Sequence, residues 1–245
     1  MNKISLVLTV LLLSACSTRQ YTHRVAARYN KAIHDAMYPQ AHRIAPLISA
    51  SSENSKCIHK KIQGEDHILM LTWKSQNFYP DSGMYNTGKW EIWVSAAPEL
   101  LQKMNRIKPK YREARLKQLL GLPPTATYHY FIEMWVKPGD LIRPCPDKDA
   151  GDTYCNIGFT SQDSLDKEHL RWINQGRIDR YYANDLYQRY PWTQLGYTYD
   201  WNPRNKSHVG VSEFVIPPHT TVYIQKAYTT QHYLDTGGYA ASYSH

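Results

Sequence analysis

Residues able to do chemistry gather in YPWTQLGYTYDWNP, positions 190–203. If 197–201 runs extended, Tyr197, Tyr199 and Trp201 share one face. Such a face stacks on sugar rings, and Asp200 beside it can hydrogen-bond their hydroxyls. The alternative is that the rings pack the core and pair their polar tips there. Asp200 and Glu213, with His208 between them in the chain, also supply the two carboxylates of a glycan hydrolase, one as acid and the other as base or nucleophile. Other clusters carry less. In PDKDAGD, Asp147, Asp149 and Asp152 lie beside a glycine as in calcium turns, but the glycine is fifth and no glutamate closes the loop. Cys57 and His59 are half of a metal site without a second half. No GxSxG elbow, HExxH helix or phosphate-cradling glycine loop is present. No metal and no cofactor is expected.

A second constellation reads across a longer stretch. Arg143 follows a predicted strand, Phe159-Thr160-Ser161 opens another, and Ser212-Glu213 begins SEFVIPP. This order resembles the arginine, the serine-containing strand and the glutamate of ADP-ribosyltransferases. The resemblance implies that Arg143 holds a dinucleotide, that Ser161 lies on the serine strand and that Glu213 guides the transfer. Val211 stands where that family carries a second acidic residue or glutamine. Either enzyme needs its three residues, Asp200, Glu213 and His208 or Arg143, Ser161 and Glu213, to meet in one cleft. A binding surface needs Tyr197, Tyr199 and Trp201 exposed.

The N-terminus speaks of location. Lys3 precedes a ten-residue apolar run, Ile4 to Leu13, too short to cross a bilayer. Leu13-Ser14-Ala15-Cys16 resembles the lipobox of bacterial lipoproteins. The resemblance implies a signal peptide over 1–15, cleavage before Cys16, and diacylglycerol and a further acyl chain such as palmitate on that cysteine. Ser17 rather than aspartate implies the outer membrane, facing the periplasm. The chain has 29 Lys and Arg against 21 Asp and Glu, and loss of Lys3 with the leader leaves a net of +7. A basic protein of the envelope is drawn to anionic glycan or lipid; export argues against nucleic acid. Seven cations fall between Lys103 and Lys117 (Lys103, Arg106, Lys108, Lys110, Arg112, Arg115, Lys117), a second candidate surface. In an oxidising compartment disulfides persist, and Cys145 and Cys155 enclose a loop short enough to pair, which leaves Cys57 without an assigned partner.

These residues need a scaffold. Val25, Tyr29, Ile33 and Ala36 form the stripe of an amphipathic helix before Pro39. Strands are predicted over 67–73, over 89–94 with Trp90, Ile92 and Val94 on one face, and over 127–136. Helices are predicted from a Ser95 cap, over 109–120 with Gly121 as stop, from an Asp163 cap to Gly176, and over 181–190. VGVSEFVI and TTVYIQKAY read as a hairpin around Pro217-Pro218. The expectation is one α+β domain, a mostly antiparallel sheet with packed helices, over 21–236, after a lipidated 16–20 and before a flexible tail at 237–245. The function expected is that of a membrane-anchored binding or accessory protein for an envelope component. The alternative is an envelope enzyme, a glycan hydrolase first and an ADP-ribosyltransferase-like protein second.

Overall fold

Burial on both faces explains the apolar run HILMLTW. In β2 (Glu65–Lys74), Ile68 and Met70 enter one core, while Leu69, Leu71 and Trp73 enter another on the opposite side. A strand covered on both sides has no polar face to show. The structure, a computed structural model, describes residues 23–162, 165–181 and 189–243. The leader, Cys16, the Asp163 cap and most of the helix expected over 181–190 lie outside the described residues.

Among the described residues the main sheet has seven strands. Its order is β3 (Gly83–Asn86), β9 (Thr221–Thr229), β5 (Tyr130–Val136), β2, β4 (Ile92–Ala96) and β8 (Phe214–Ile216), with β1 (His59–Ile62) paired to the start of β2. All its pairings are antiparallel. The fold is a single mixed α+β domain. β6 (Tyr197–Tyr199) and β7 (Val209–Ser212) form a separate ribbon. VGVSEFVI and TTVYIQKAY do not make the expected hairpin, because β8 pairs with β4 and β9 with β5 and β3. Five peptide steps from Ile216 to Thr221 reach about 17 Å, whereas four strand spacings in a flat sheet are about 19 Å. The sheet must therefore curl. It does so around a core that holds Ile68, Ile132 and Met134 together with Phe214, Ile216, Val222 and Ile224.

The other face is covered by α2 (Ala97–Met104), α3 (Arg112–Leu119) and α5 (Thr230–Thr236) through Leu100, Met104, Leu116, Leu119 and Tyr233. Ser95 does not cap α2. It stays in β4, and Ala96 takes the cap position. Trp90 lies before β4 and is exposed. A third cluster joins α1, described over 23–36, to α4 (Lys167–Tyr181) around Tyr29, Ile33, Ile173, Trp192 and Trp201. α4 does not stop at Gly176; Trp192 packs against that residue from outside, and the helix runs on to Tyr181. Of the tail expected to be flexible, residues 237–243 are described and 244–245 lie outside the described residues. Residues Tyr239–Tyr243 form a 3-10 helix, and Ala240 is buried. The cause is Glu133 of β5, whose fully buried carboxylate accepts the Tyr239 and Ala240 N–H groups at 3.0 Å each.

Gly210 of β7 shows how tightly the ribbon is pressed on α3. A Cβ there would stand 2.4 Å from Thr198 O and 2.5 Å from Leu119 O, both backbone atoms. Gly210→Ala is therefore expected to cost about 3 kcal/mol, the upper end of ordinary overpacking, measured as a fall in the denaturant midpoint at constant m-value.

Candidate active site

β2 and β4 pair at two positions, Met70 with Ala96 and Leu71 with Ser95, and then part. The next residues in that register, Thr72 and Val94, then Trp73 and Trp93, line opposite walls of a cleft of about 390 Å³. β2 continues along β5, and β4 along β8, so the two halves of the sheet diverge like an opened book. A volume of this order suits a small-molecule site. The cleft opening is thus a product of strand pairing: each wall keeps its outer neighbour and loses its inner one.

The lining is aromatic with a few polar groups. Trp73 stacks on Tyr128 (4.7 Å) and Phe131 (5.3 Å) and donates its indole N–H to Thr230 Oγ1 at 2.7 Å. On the facing wall Glu91 fixes two indoles, accepting from Trp93 Nε1 at 2.8 Å and Trp172 Nε1 at 2.7 Å. Arg180, near the end of α4, lies over Trp93 (4.6 Å) and Trp192 (5.0 Å) and pairs loosely with Glu91 at 3.8 Å. Among the described residues its hydrogen bond is a long one to Gly176 O, 3.4 Å.

Besides Arg180, Thr72, Ser75, Thr198 and Tyr190, the polar residues lining the cleft include Lys74, Ser95 and Glu213. The amine of Lys74, the last residue of β2, has no hydrogen bond or ion pair with the described residues, and burial lowers its pKa despite the charge of Glu91. Glu213 sits between β7 and β8, its N–H donated to Gly196 O at 2.8 Å and its carbonyl receiving Arg143 Nη1 at 3.4 Å. Its carboxyl has no hydrogen-bond partner among the described residues. Burial pushes its pKa up to about 7, against the pull of Arg180. A carboxyl half-ionised near neutrality, in an aromatic cleft, is what acid–base or charge-stabilising chemistry uses.

The residues singled out in the sequence are placed differently. Asp200 is fully buried and receives Arg115 through a two-pronged bond, 2.8 and 2.6 Å, besides Asn205 Nδ2 and the Asn202 N–H. His208 stacks on Tyr199 at 4.8 Å and bonds Asp200 O, outside the cleft. Asp200, His208 and Glu213 do not converge. Arg143 and Ser161 fail Glu213 as well. Arg143 is buried behind Phe214, donating to the carbonyls of Ile48, Ala150 and Asp152 at 2.7–3.0 Å, and Ser161 is exposed in a turn. Tyr197, Tyr199 and Trp201 are 2%, 4% and 6% exposed, which removes them as a binding surface. Their polar tips reach Arg43 O, Asp35 Oδ2, and the carbonyls of Lys117 and Leu122. The rings meet protein here, not solvent: Tyr199 and Trp201 pack in the cluster of α1 and α4, and Tyr197 packs with Leu47, Leu195 and the Cys145–Cys155 disulfide.

Of the seven cations between 103 and 117, three are tied down: Arg115 to Asp200, Arg112 to Leu234 O and Asp235, and Lys117 to Glu113. Lys103, Arg106, Lys108 and Lys110 remain exposed. Cys145 and Cys155 form the expected disulfide, and Cys57 is free and buried. No three metal-ligating side chains gather among the described residues. No helix there is long and apolar enough to cross a membrane. Sequence reasoning found Glu213 but missed Lys74, Ser95, Glu91 and Arg180. The one signal available for them was the tryptophan beside each of Lys74 and Glu91, in TWKS and KWEIW. Comparison with protein-family models, with curated proteins and with solved structures finds no match to this chain.

Proposed function

We propose that this chain is an envelope lipoprotein whose cleft transfers an ADP-ribosyl-type group from a dinucleotide, with Glu213 guiding the transfer. The observation that carries the proposal is the lone carboxyl of Glu213 in a cleft whose other ionisable cations are Lys74 and Arg180. Glycan hydrolysis needs two carboxylates about the scissile bond. Among the described residues Glu213 is the one carboxylate that lines the cleft. Transfer from a dinucleotide needs one.

The order cation, serine, glutamate recurs in other residues than those first expected. Lys74 ends β2, Ser95 lies in β4 and Glu213 precedes β8. These residues fit a dinucleotide. Trp73, Trp93 and Tyr128 line the cleft with their ring faces largely taken by protein neighbours, so flat rings would meet them edge to face. Lys74 supplies a point charge to a diphosphate where arginine would supply a fork. With a dinucleotide bound, the Glu213 carboxylate would stabilise the positive charge that builds on the sugar carbon as its bond to the base breaks; the base leaves with that bond's electron pair, and an acceptor nucleophile forms the new bond to the carbon. The leader ending in Cys16 supports lipid attachment at the outer membrane's periplasmic side, and the Cys145–Cys155 disulfide suits an oxidising compartment. Lys103, Arg106, Lys108 and Lys110 would then be the cations that meet anionic lipid or glycan.

The test is titration of the full chain with NAD+, followed by tryptophan fluorescence. Saturable quenching is expected, and Lys74→Met should weaken it about 10- to 100-fold, the worth of a charged hydrogen bond of ~1.5–3 kcal/mol. Quenching that never saturates, or that ignores Lys74→Met, overturns the reading.

A further inference from the structure

Two lines of contact run from the Cys145–Cys155 disulfide to the cleft. The first ends on Glu213. Cys155 Sγ presses on Gly196: a Cβ built there would stand 2.7 Å from that sulfur, 2.7 Å from Arg143 Cδ and 2.8 Å from Leu47 Cδ1. Gly196 O accepts the Glu213 N–H. Arg143 holds the other backbone group of Glu213, its carbonyl, while donating to Ala150 O and Asp152 O inside the loop that the disulfide closes. Its guanidinium lies 4.1 Å over the ring of Phe214, the next residue. Both peptide groups that aim the Glu213 side chain are therefore gripped by parts that the disulfide gathers.

The second line reaches the opposite wall. His169 Nε2 donates to Cys145 O at 2.7 Å, and the His169 ring stacks on Trp172 at 5.7 Å. Trp172 donates to Glu91, and Glu91 orders Trp93 and Arg180, as described above. One covalent bond stands behind both the carboxyl and the aromatic wall that faces it.

We propose that oxidation assembles this cleft: the disulfide is a positioning element for Glu213, and the site exists in working form only where the bond persists. The proposal rests on the reading of Glu213 as the working group. Reduction by a dithiol breaks the S–S bond, leaves two electrons and two protons as thiols on Cys145 and Cys155, and releases the dithiol as a cyclic disulfide. A chain kept in a thiol-rich compartment stays in that reduced form. It would carry the sequence of the site without its geometry.

The test follows the Glu213 carboxyl by carbon-13 NMR in the full chain, oxidised and after dithiothreitol. The oxidised chain should titrate at about 7. On reduction the midpoint should fall by about one pH unit or more toward ordinary carboxylates. Amides of 194–198 and 211–215 should exchange at least about tenfold faster, while β2, β5 and β9 keep their protection. An unchanged midpoint and unchanged exchange after complete reduction overturn the proposal. Should reduction melt the whole sheet, Gly196→Ala decides, since it displaces the same contact with the disulfide intact. It should shift Glu213 in the same direction, and an unmoved Glu213 overturns the proposal there too. None of these readouts needs a ligand. Failure to bind NAD+ would sink the transfer reading and leave this one standing.

Discussion

Glu213→Gln is expected to lower NAD+-dependent transfer by about 10²–10⁴-fold, the range of a lost acid–base or charge-stabilising group, while NAD+ affinity changes little. The amide keeps the shape and removes the charge, so the loss should fall on turnover rather than on binding. The wild-type rate should climb with pH, tenfold per unit, and level off above about 7, because the ionised carboxyl is the working form. Stability runs the other way. The folded pKa lies above the unfolded value of about 4.3. The protonated group thus favours the fold at low pH, and that advantage drains away as pH rises from about 4 through 7. In the glutamine variant the decline should vanish, leaving it more stable than wild type at pH 8 by on the order of 1–3 kcal/mol. Equal activity in both proteins, or a flat pH–rate profile, would refute the role.

Arg115→Leu should unfold much of the protein's margin without touching the cleft. Asp200 has no exposed surface, and Arg115 is its cationic partner through two bonds of 2.8 and 2.6 Å. Removing one member of a buried pair costs about 3–5 kcal/mol, because the other charge is stranded. Asp200→Asn in the same background should restore a good part of that loss, since the amide carries no charge and its one oxygen can still accept the Asn202 N–H that Asp200 Oδ1 receives. Chemical denaturation of the two single variants and the double variant gives the coupling directly. Additive losses would show that the pair is not what holds the ribbon to α3.

Much of the scaffold could be read from local pattern. The strand-length apolar runs at 67–73 and 127–136 and the short cysteine loop each carry their own instruction, because such runs and loop closure are local matters. The site could not be read that way. Its cleft exists because β2 and β4 pair twice and then diverge, and nothing within either strand announces where pairing stops. Asp200 looked catalytic because its partner, Arg115, lies 85 residues away in the chain. Tyr197, Tyr199 and Trp201 do not share one strand face: β6 ends at Tyr199, a register shift separates Tyr197 from Tyr199, and the rings enter two different clusters. Period-two pattern places rings on a face but does not say whether water or a helix covers it. Glu213 was legible as a candidate through SEFVIPP, while its cation came from the far end of another strand.

Glu133 sits in the middle strand of the sheet, yet its carboxylate is satisfied by amides 106 and 107 positions later. A buried carboxylate without donors is costly. Without Tyr239 and Ala240 that carboxyl would keep only the hydroxyls of Tyr228 and Tyr233, so a strand at the centre of the sheet is completed by the last described turn of the chain.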